Sequence, residues 1–257
     1  MQTPVATGPL TAEQIARYHR DGFLVVKGMF GPQEIRTITA WADEIAEYPE
    51  TPGKHMMYFE RSKLDERRIL SRMENFYPYH AGFAACFDSP EMKGSVAQLL
   101  GEEAVLFKDK INFKMPGGDG FTPHQDVQAG WNTYASLHLS VLICIDEATP
   151  ENGCLEIAAG HHSRGVVGDL WAPLTDAAMA GMDFVPCPTK PGDAVFFDSF
   201  APHRSDPNLT AKQRRVLYVT YNRLSEGDSR EQYYADKRAS YPQDCEREPD
   251  KEYVFRV

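Results

Sequence analysis

The sequence lacks what would place it in a membrane, on nucleic acid or in a disulfide scaffold. No apolar run approaches the roughly 18 residues that cross a bilayer. The N-terminus MQTPVATGPL has no charged segment followed by an apolar core, so no signal peptide is expected. The five cysteines are an odd number, with no Cys-x-x-Cys pair and no close Cys/His cluster. That argues against a disulfide framework or a structural zinc site and for free thiols in a reducing cytoplasm. Basic residues are outnumbered, 27 Lys and Arg against 37 Asp and Glu, for a formal net charge of −10. Nucleic acid and anionic membranes select basic faces, so neither is an expected partner. An anionic substrate would need its cations gathered locally, against this average. There is no internal repeat and no low-complexity segment.

What is present fits one domain over residues 1–257. A chain this long buries a full core without a staple. Residues 1–9 are polar, with two prolines, and are expected to be loose. Thr11 and Gln14 form a capping box, flanked by Leu10 and Ile15 as a hydrophobic staple. A helix over 12–20 should follow and stop at Asp21-Gly22, before a short strand Phe23–Val26. Pro32 suits the first turn of a second helix, with Ile35, Ile38, Trp41, Ala42 and Ile45 at helical spacing. Residues 90–100 read as a third helix ending at Gly101. A helical layer over about 10–100 is therefore expected.

From 104 the texture changes. Strand-like runs recur at Val105–Lys108, Ile111–Met115, Ser136–Ile145, Cys154–Ala158, Ala194–Asp198 and Val216–Tyr221. Turns such as Pro116-Gly-Gly-Asp-Gly120 and Pro191-Gly-Asp193 separate them. Short strands with turn signals mark an antiparallel sandwich or jelly roll over about 104–222. The extension 225–257 mixes charges of both signs with Tyr233, Tyr234, Tyr241, Tyr253 and Phe255, and is expected to pack on the surface.

The chemistry centres on His124-Gln-Asp126 and a later His203. Strand alternation would project 124 and 126 to one side. A second imidazole then gives two His and one carboxylate on one face of a metal, the arrangement of non-haem Fe(II) oxygenases. His161 and His162 compete with His203, but neither has an arginine at the right later spacing. His138 reads as core or cavity lining, and His19, His55 and His80 as structural, with His80 a candidate for the pocket mouth. Arg214 could hold a carboxylate in a bidentate fork, with Arg215 as the alternative.

On these residues the chain resembles the phytanoyl-CoA dioxygenase family of Fe(II)/2-oxoglutarate oxygenases. The matching blocks are His124-x-Asp126, Glu151-Asn-Gly153-Cys-Leu155, Ala159-Gly-His161-His162, Pro191-Gly-Asp193, His203-x-Ser205 and Arg214. They run in order over about 100–221, and Thr11–Phe30 fits the family's opening helix and strand. The resemblance implies a mainly β fold with a helical layer, a double-stranded β-helix of the jelly-roll, cupin-like kind. It implies Fe(II) on the catalytic residues His124, Asp126 and His203, with 2-oxoglutarate and O2 as co-substrates. Arg214 and Ser205 would bind the distal carboxylate of 2-oxoglutarate, and Lys108 and Asn112 would also contact it. Ala159-Gly-His161-His162 departs from the family's usual proline-glycine-serine-histidine. The carboxylate of Asp126 implies hydroxylation rather than halogenation.

Within the family the chain looks most like the 2-aminoethylphosphonate dioxygenases. The likeness rests on Lys108-Asp-Lys110-Ile-Asn112-Phe-Lys114, on Gln128 and Trp131 after the triad, and on the stretch from Tyr233 to Arg256. It implies hydroxylation at the carbon next to phosphorus, with a trimethylated analogue equally compatible. Lys110, Gln128, Trp131 and Tyr134 are the expected substrate contacts. Alternation puts Lys108, Lys110, Asn112 and Lys114 on one face, and Arg61, Lys63 and Arg72 lie upstream. Such cations suit a compact dianion, an aminophosphonate above all, or are gatekeepers on an edge strand. Tyr58, Tyr77, Tyr79, Trp131 and Tyr134 would face an ammonium group or fill core. Other readings are a hydroxylase of an amino acid or acyl thioester, a cupin-like metal hydrolase, and a non-catalytic β-sandwich binding protein.

Overall fold

A computed structural model describes residues 8–253. The expected loose start therefore lies mostly outside the described residues, as does the end of the C-terminal stretch with Phe255 and Arg256. In chain order the elements are α1 (Ala12–Asp21), β1 (Phe23–Val26), α2 (Pro32–Ala46), β2 (Met56–Arg61) and β3 (Arg68–Glu74). Then come α3 (Ala81–Phe87), α4 (Pro90–Leu100), β4 (Ala104–Asn112), β5 (Phe121–His124), β6 (His138–Cys144) and β7 (Leu155–Ala158). The chain continues through β8 (Phe184–Cys187), β9 (Ala194–Asp198), β10 (His203–Ser205), β11 (Val216–Arg223) and α5 (Arg230–Ser240).

The strands form two antiparallel sheets. The larger runs β1-β9-β6-β11-β4-β3-β2 and the smaller β5-β10-β7-β8. Leu142, Cys144, Val195, Phe197 and Val216 of the large sheet meet Leu155 and Ile157 of the small one in an apolar cluster. The other face of the large sheet takes Ile35, Ile38, Ala42, Ile45, Val96 and Leu99 of the helices, next to Val141, Phe196 and Val219. This is a jelly roll with a helical layer.

Local signals held where they were strongest. Thr11 Oγ1 accepts from Gln14 N–H at 3.2 Å, and Gln14 Oε1 accepts from Thr11 N–H at 2.8 Å. Gly22 ends α1 at φ +81°, a conformation that costs a glycine little. Two expectations change. The run 105–108 and the start of the run 111–115 are one strand, β4, which stops at Asn112, before Lys114 turns to φ +32°. The stretch 10–100 is not only helical: the hairpin β2–β3 extends the large sheet at β4. Its dense Arg and Tyr content hid it, since both faces of the hairpin are partly polar.

Candidate active site

The triad is assembled by one strand pair. β10 runs antiparallel to β5 with His203 opposite His124, so both rings leave the small sheet side by side, 4.3 Å between centroids. Each ring is fixed by the carbonyl two residues before it. His124 Nδ1 lies 2.6 Å from Thr122 O, and His203 Nδ1 lies 3.0 Å from Ala201 O. A carbonyl accepts only from an N–H, so Nδ1 carries the proton and Nε2 presents its lone pair. Asp126 is not a strand residue, as alternation supposed: β5 stops at His124 and Asp126 opens a short 3-10 turn, Asp126–Ala129. The turn brings Oδ1 to 3.9 Å from both His124 Nε2 and His203 Nε2. Ser140 Oγ donates to the other oxygen, Oδ2, at 3.1 Å.

This donor set fits a divalent iron. The three ligand atoms lie within 4.8 Å of one another, and they are two neutral nitrogens and one carboxylate oxygen. Burial, with His203 beside it, pushes the His124 imidazole down to about 3, so it stays an unprotonated ligand. Burial alone would raise the Asp126 carboxyl. His203, His124, Lys110 and Lys108 outweigh that and hold it below its usual range.

An inner pocket over the triad is lined by Lys108, Lys110, Asn112, Ser205, Tyr218 and Thr220 among others. It opens into a cavity of about 600 Å³ bounded by Arg72, Glu74, Trp131, Tyr134, Trp171 and residues of the C-terminal segment. Lys108, Lys110 and Asn112 do share a face. β4 lies between β11 and β3, so these lysines are not edge gatekeepers. Burial, with Lys108 next to it, pulls the Lys110 ammonium down to about 7. Lys114 goes deeper. Its ammonium donates to Ser205 Oγ at 2.9 Å and to Gly153 O at 3.2 Å. Burial and the neighbouring Arg214 push it down to about 6.

The two arginines part company. Arg215 binds Asp146, Nε to Oδ2 at 2.8 Å, and also pairs with Asp43. Arg214 turns inward, is 2% exposed, and donates from Nη2 to Gly153 O at 2.6 Å. It stands against Tyr218, which lines the inner pocket, while its Nε has no hydrogen-bond partner among the described residues. Gly153 is needed at this junction. Its φ is +72°, and a Cβ would lie 1.9 Å from Asp206 O and 2.9 Å from Lys114 Nζ.

Several expected contacts lie elsewhere. Gln128 is fully buried. Its Nε2 donates to Asp169 O at 2.7 Å and Ala172 O at 2.8 Å, so it braces a loop rather than a substrate. Arg61 binds Glu66 O and Lys63 binds Asp119 at 3.0 Å; of the three upstream cations only Arg72 lines the cavity. Tyr58 is buried with its hydroxyl on Tyr241 O, Tyr77 bonds Asp88, and Tyr79 packs on His55. His80 caps α3 against Trp41 and misses the mouth. His162 packs on the Gly22 turn and His161 meets Arg164, so neither joins the triad. His138 is buried against Phe107 and Trp131. Conversely, Ser140, Glu74, Tyr218 and Lys237 were missed. Ser140 was legible, being two residues from His138 on one strand face; Glu74 and Lys237 carry no local signal.

The family described as phytanoyl-CoA dioxygenase matches residues 18–216. A protein named 2-aminoethylphosphonate dioxygenase, from the uncultured bacterium HF130_AEPn_1, is 39% identical over 244 residues, covering 95% of this chain and 93% of that protein. A methylphosphonate hydroxylase of Gimesia maris is 39% identical over 235 residues, covering 91% and 89%. Among solved structures, EctD from S. alaskensis with 2-oxoglutarate and 5-hydroxyectoine superposes with a TM-score of 0.71 at 22% identity, covering 87% of this chain and 82% of that one. The chain belongs to the phytanoyl-CoA dioxygenase family. It is an Fe(II)- and 2-oxoglutarate-dependent dioxygenase whose metal triad is His124, Asp126 and His203.

Proposed function

We propose that this dioxygenase hydroxylates a small phosphonate, 2-aminoethylphosphonate foremost, at the carbon next to phosphorus. The observation that carries the reading is the pair Lys108 and Lys110 on the same cavity wall as His124 and Asp126. Cations at that place suit a dianionic head group whose neighbouring carbon faces the metal. Both phosphonate-named relatives, at 39% identity across most of the chain, point the same way.

Iron held by the triad supplies the oxidising chemistry, using O2 and turning 2-oxoglutarate into succinate and CO2. The chain's residues do the positioning. The carbonyls of Thr122 and Ala201 hold both imidazoles with Nε2 forward, and Ser140 keeps Asp126 Oδ1 turned to them. In this reading Arg214 and Ser205 take the distal carboxylate of 2-oxoglutarate, with Asn112 contributing along β4, while the Lys108 ammonium lies 3.6 Å from Glu74 Oε2 and serves the substrate. Lys110, Trp131 and Tyr134 face the substrate, and the rings of Trp131 and Tyr134 keep water from the reacting carbon. Asp236 and Glu252, which line the outer cavity next to Lys237 and Lys251, offer carboxylates to an ammonium group, which favours the amino compound over methylphosphonate. A cytoplasmic setting completes the reading: the five cysteines are free, and among the described residues no helix is long and apolar enough to cross a membrane.

The test is aerobic turnover with Fe(II) and 2-oxoglutarate. Succinate release should rise with 2-aminoethylphosphonate, less with methylphosphonate, and not with taurine, the sulfonate of matching length. Phosphorus NMR should show a hydroxylated product. Succinate release unchanged by either phosphonate would overturn the reading.

A further inference from the structure

The large cavity holds a charge cluster that the iron site does not require. Glu74, the last residue of β3, is 1% exposed and lines this cavity. Three cations from three elements converge on its carboxylate. Arg72 Nε of β3 is 3.1 Å from Oε1; Lys237 Nζ of α5 is 2.7 Å and Lys108 Nζ of β4 is 3.6 Å from Oε2. Their side chains are only 8, 12 and 10% exposed. One carboxylate balances one of them. Arg72 also acts on Glu60, while burial, opposed by Glu74, drives the Lys237 amine well below its ordinary value, so an arriving anion is what would restore its charge. Gathering like charges away from water is costly, and a bound anion offsets that cost.

The surroundings leave the surplus little choice of partner. Lys108 Nζ lies 5.3 Å from the Trp131 ring centroid and 5.5 Å from that of Tyr233. Lys237 Nζ lies 5.7 Å from the Tyr58 ring and 5.9 Å from that of Tyr233. Aromatic walls cover their flanks, and beyond Glu74 the ammonium groups face the cavity. The cluster is also near the metal end. Lys108 is two residues from Lys110 on one face of β4, and both depress the Asp126 carboxyl.

We propose that Lys108, Lys237 and Arg72, gathered on Glu74, form the anion subsite of the substrate cavity, and that α5 selects the substrate through Lys237. The subsite takes the phosphonate group of the substrate proposed above, and to that extent rests on that reading. Glu74 is the counter-ion that holds the cations convergent before the dianion arrives. Lys237 is a specificity-determining residue delivered from 163 positions away from Glu74.

The experiment compares the wild-type holoenzyme with Lys237→Met and Lys237→Arg. Losing one charge-assisted contact should raise KM for 2-aminoethylphosphonate by about 10- to 100-fold. Methylphosphonate should suffer by a similar factor, because the head group is what is lost. The kcat should stay within about threefold and the calorimetric affinity for 2-oxoglutarate should not move. Lys237→Arg should recover most of the loss. A folded Lys237→Met protein with unchanged phosphonate KM would overturn the subsite, as would an equal loss of 2-oxoglutarate affinity. Lys237→Gln replaces the methionine variant if that one fails to fold. The same proteins are titrated with inorganic phosphate in a calorimeter. Should the wild type turn over neither phosphonate, phosphate binding that Lys237→Met abolishes still supports an anion subsite. No phosphate binding in that case overturns the subsite together with the phosphonate reading.

Discussion

At the iron end of the cavity, His124 and His203 face each other across one strand pair, and each ring is tied to the carbonyl two residues before it. Beside it in the substrate cavity, Arg72, Glu74, Lys108 and Lys237 come from β3, β4 and α5 and are held by one another's charge. The first arrangement is set by backbone register, which fixes direction to within a rotamer. The second is set by Coulomb forces between long flexible side chains, which fix a balance of charge more than a direction. Chemistry that must hold a metal and chemistry that must admit different small anions call for different supports.

The comparison can be broken most severely at the iron end. Asp126→Ala should remove iron retention and cut phosphonate-dependent succinate release by more than the ~100-fold that losing an outer partner costs. Metal analysis and turnover check it, and retained iron would contradict the triad. Ser140→Ala, which removes a hydroxyl bonded to Asp126 Oδ2 and Thr220 Oγ1, should show that smaller loss of about 10- to 100-fold in metal affinity.

The junction of Lys114, Arg214 and Asp206 at Gly153 comes next. Gly153→Ala forces a Cβ to 1.9 Å from Asp206 O at φ +72°. We expect it to cost at least about 1–3 kcal/mol, read from the urea midpoint, and to raise the 2-oxoglutarate requirement. The arginine pair then sharpens the division. Arg214→Met should raise KM for 2-oxoglutarate by about 10- to 100-fold and leave phosphonate affinity alone. Arg215→Met breaks pairs to Asp146 and Asp43 that water partly screens, so about 1 kcal/mol of stability should go with no change in 2-oxoglutarate KM. A reversal of the two phenotypes would exchange their roles.

The smallest effect concerns pH. Lys110 is held at about 7 in the folded chain, below its ordinary 10.5. Between those values the unfolded chain binds more protons, so stability should rise with pH in that window. The penalty is fully present below about 7 and fades toward 10.5. Lys110→Met should therefore raise the melting temperature of the ligand-free protein at pH 6.5 and do so progressively less by pH 9.5. An unaltered difference across that range would remove Lys110 from the account.

Legibility along the chain follows the range of the forces. The capping box at Thr11, the stop at Gly22 and the strand Phe23–Val26 depend on neighbours within a few residues, and all three stand where the sequence put them. His124-x-Asp126 and His203 were readable because their types and order are unusual for anything else. Gln128 shows the limit: a polar residue two past the carboxylate ligand suggests a substrate contact, yet its amide bonds to Asp169 and Ala172 about 40 residues on. Arg214 and Arg215 were left open because adjacent residues share every local signal. Register with β4 and β6 starts only at Val216, and the acidic partners Asp146 and Asp43 then take Arg215 outward.

By itself, then, the sequence determined the fold class, the metal ligands and the likeness to one oxygenase family. Those follow from periodicity, turn residues and a rare ligand pattern, all carried in short segments. Only the tertiary structure decided which of two arginines faces inward, that the β4 lysines lie inside a sheet, and that residue 237 meets residue 74. These depend on strand neighbours and on charges far apart in sequence, and chain closure over such distances leaves no mark on local composition. The acidic total of −10 is a case in point. It describes the whole chain, while the cavity gathers Arg72, Lys108, Lys110 and Lys237 from three elements.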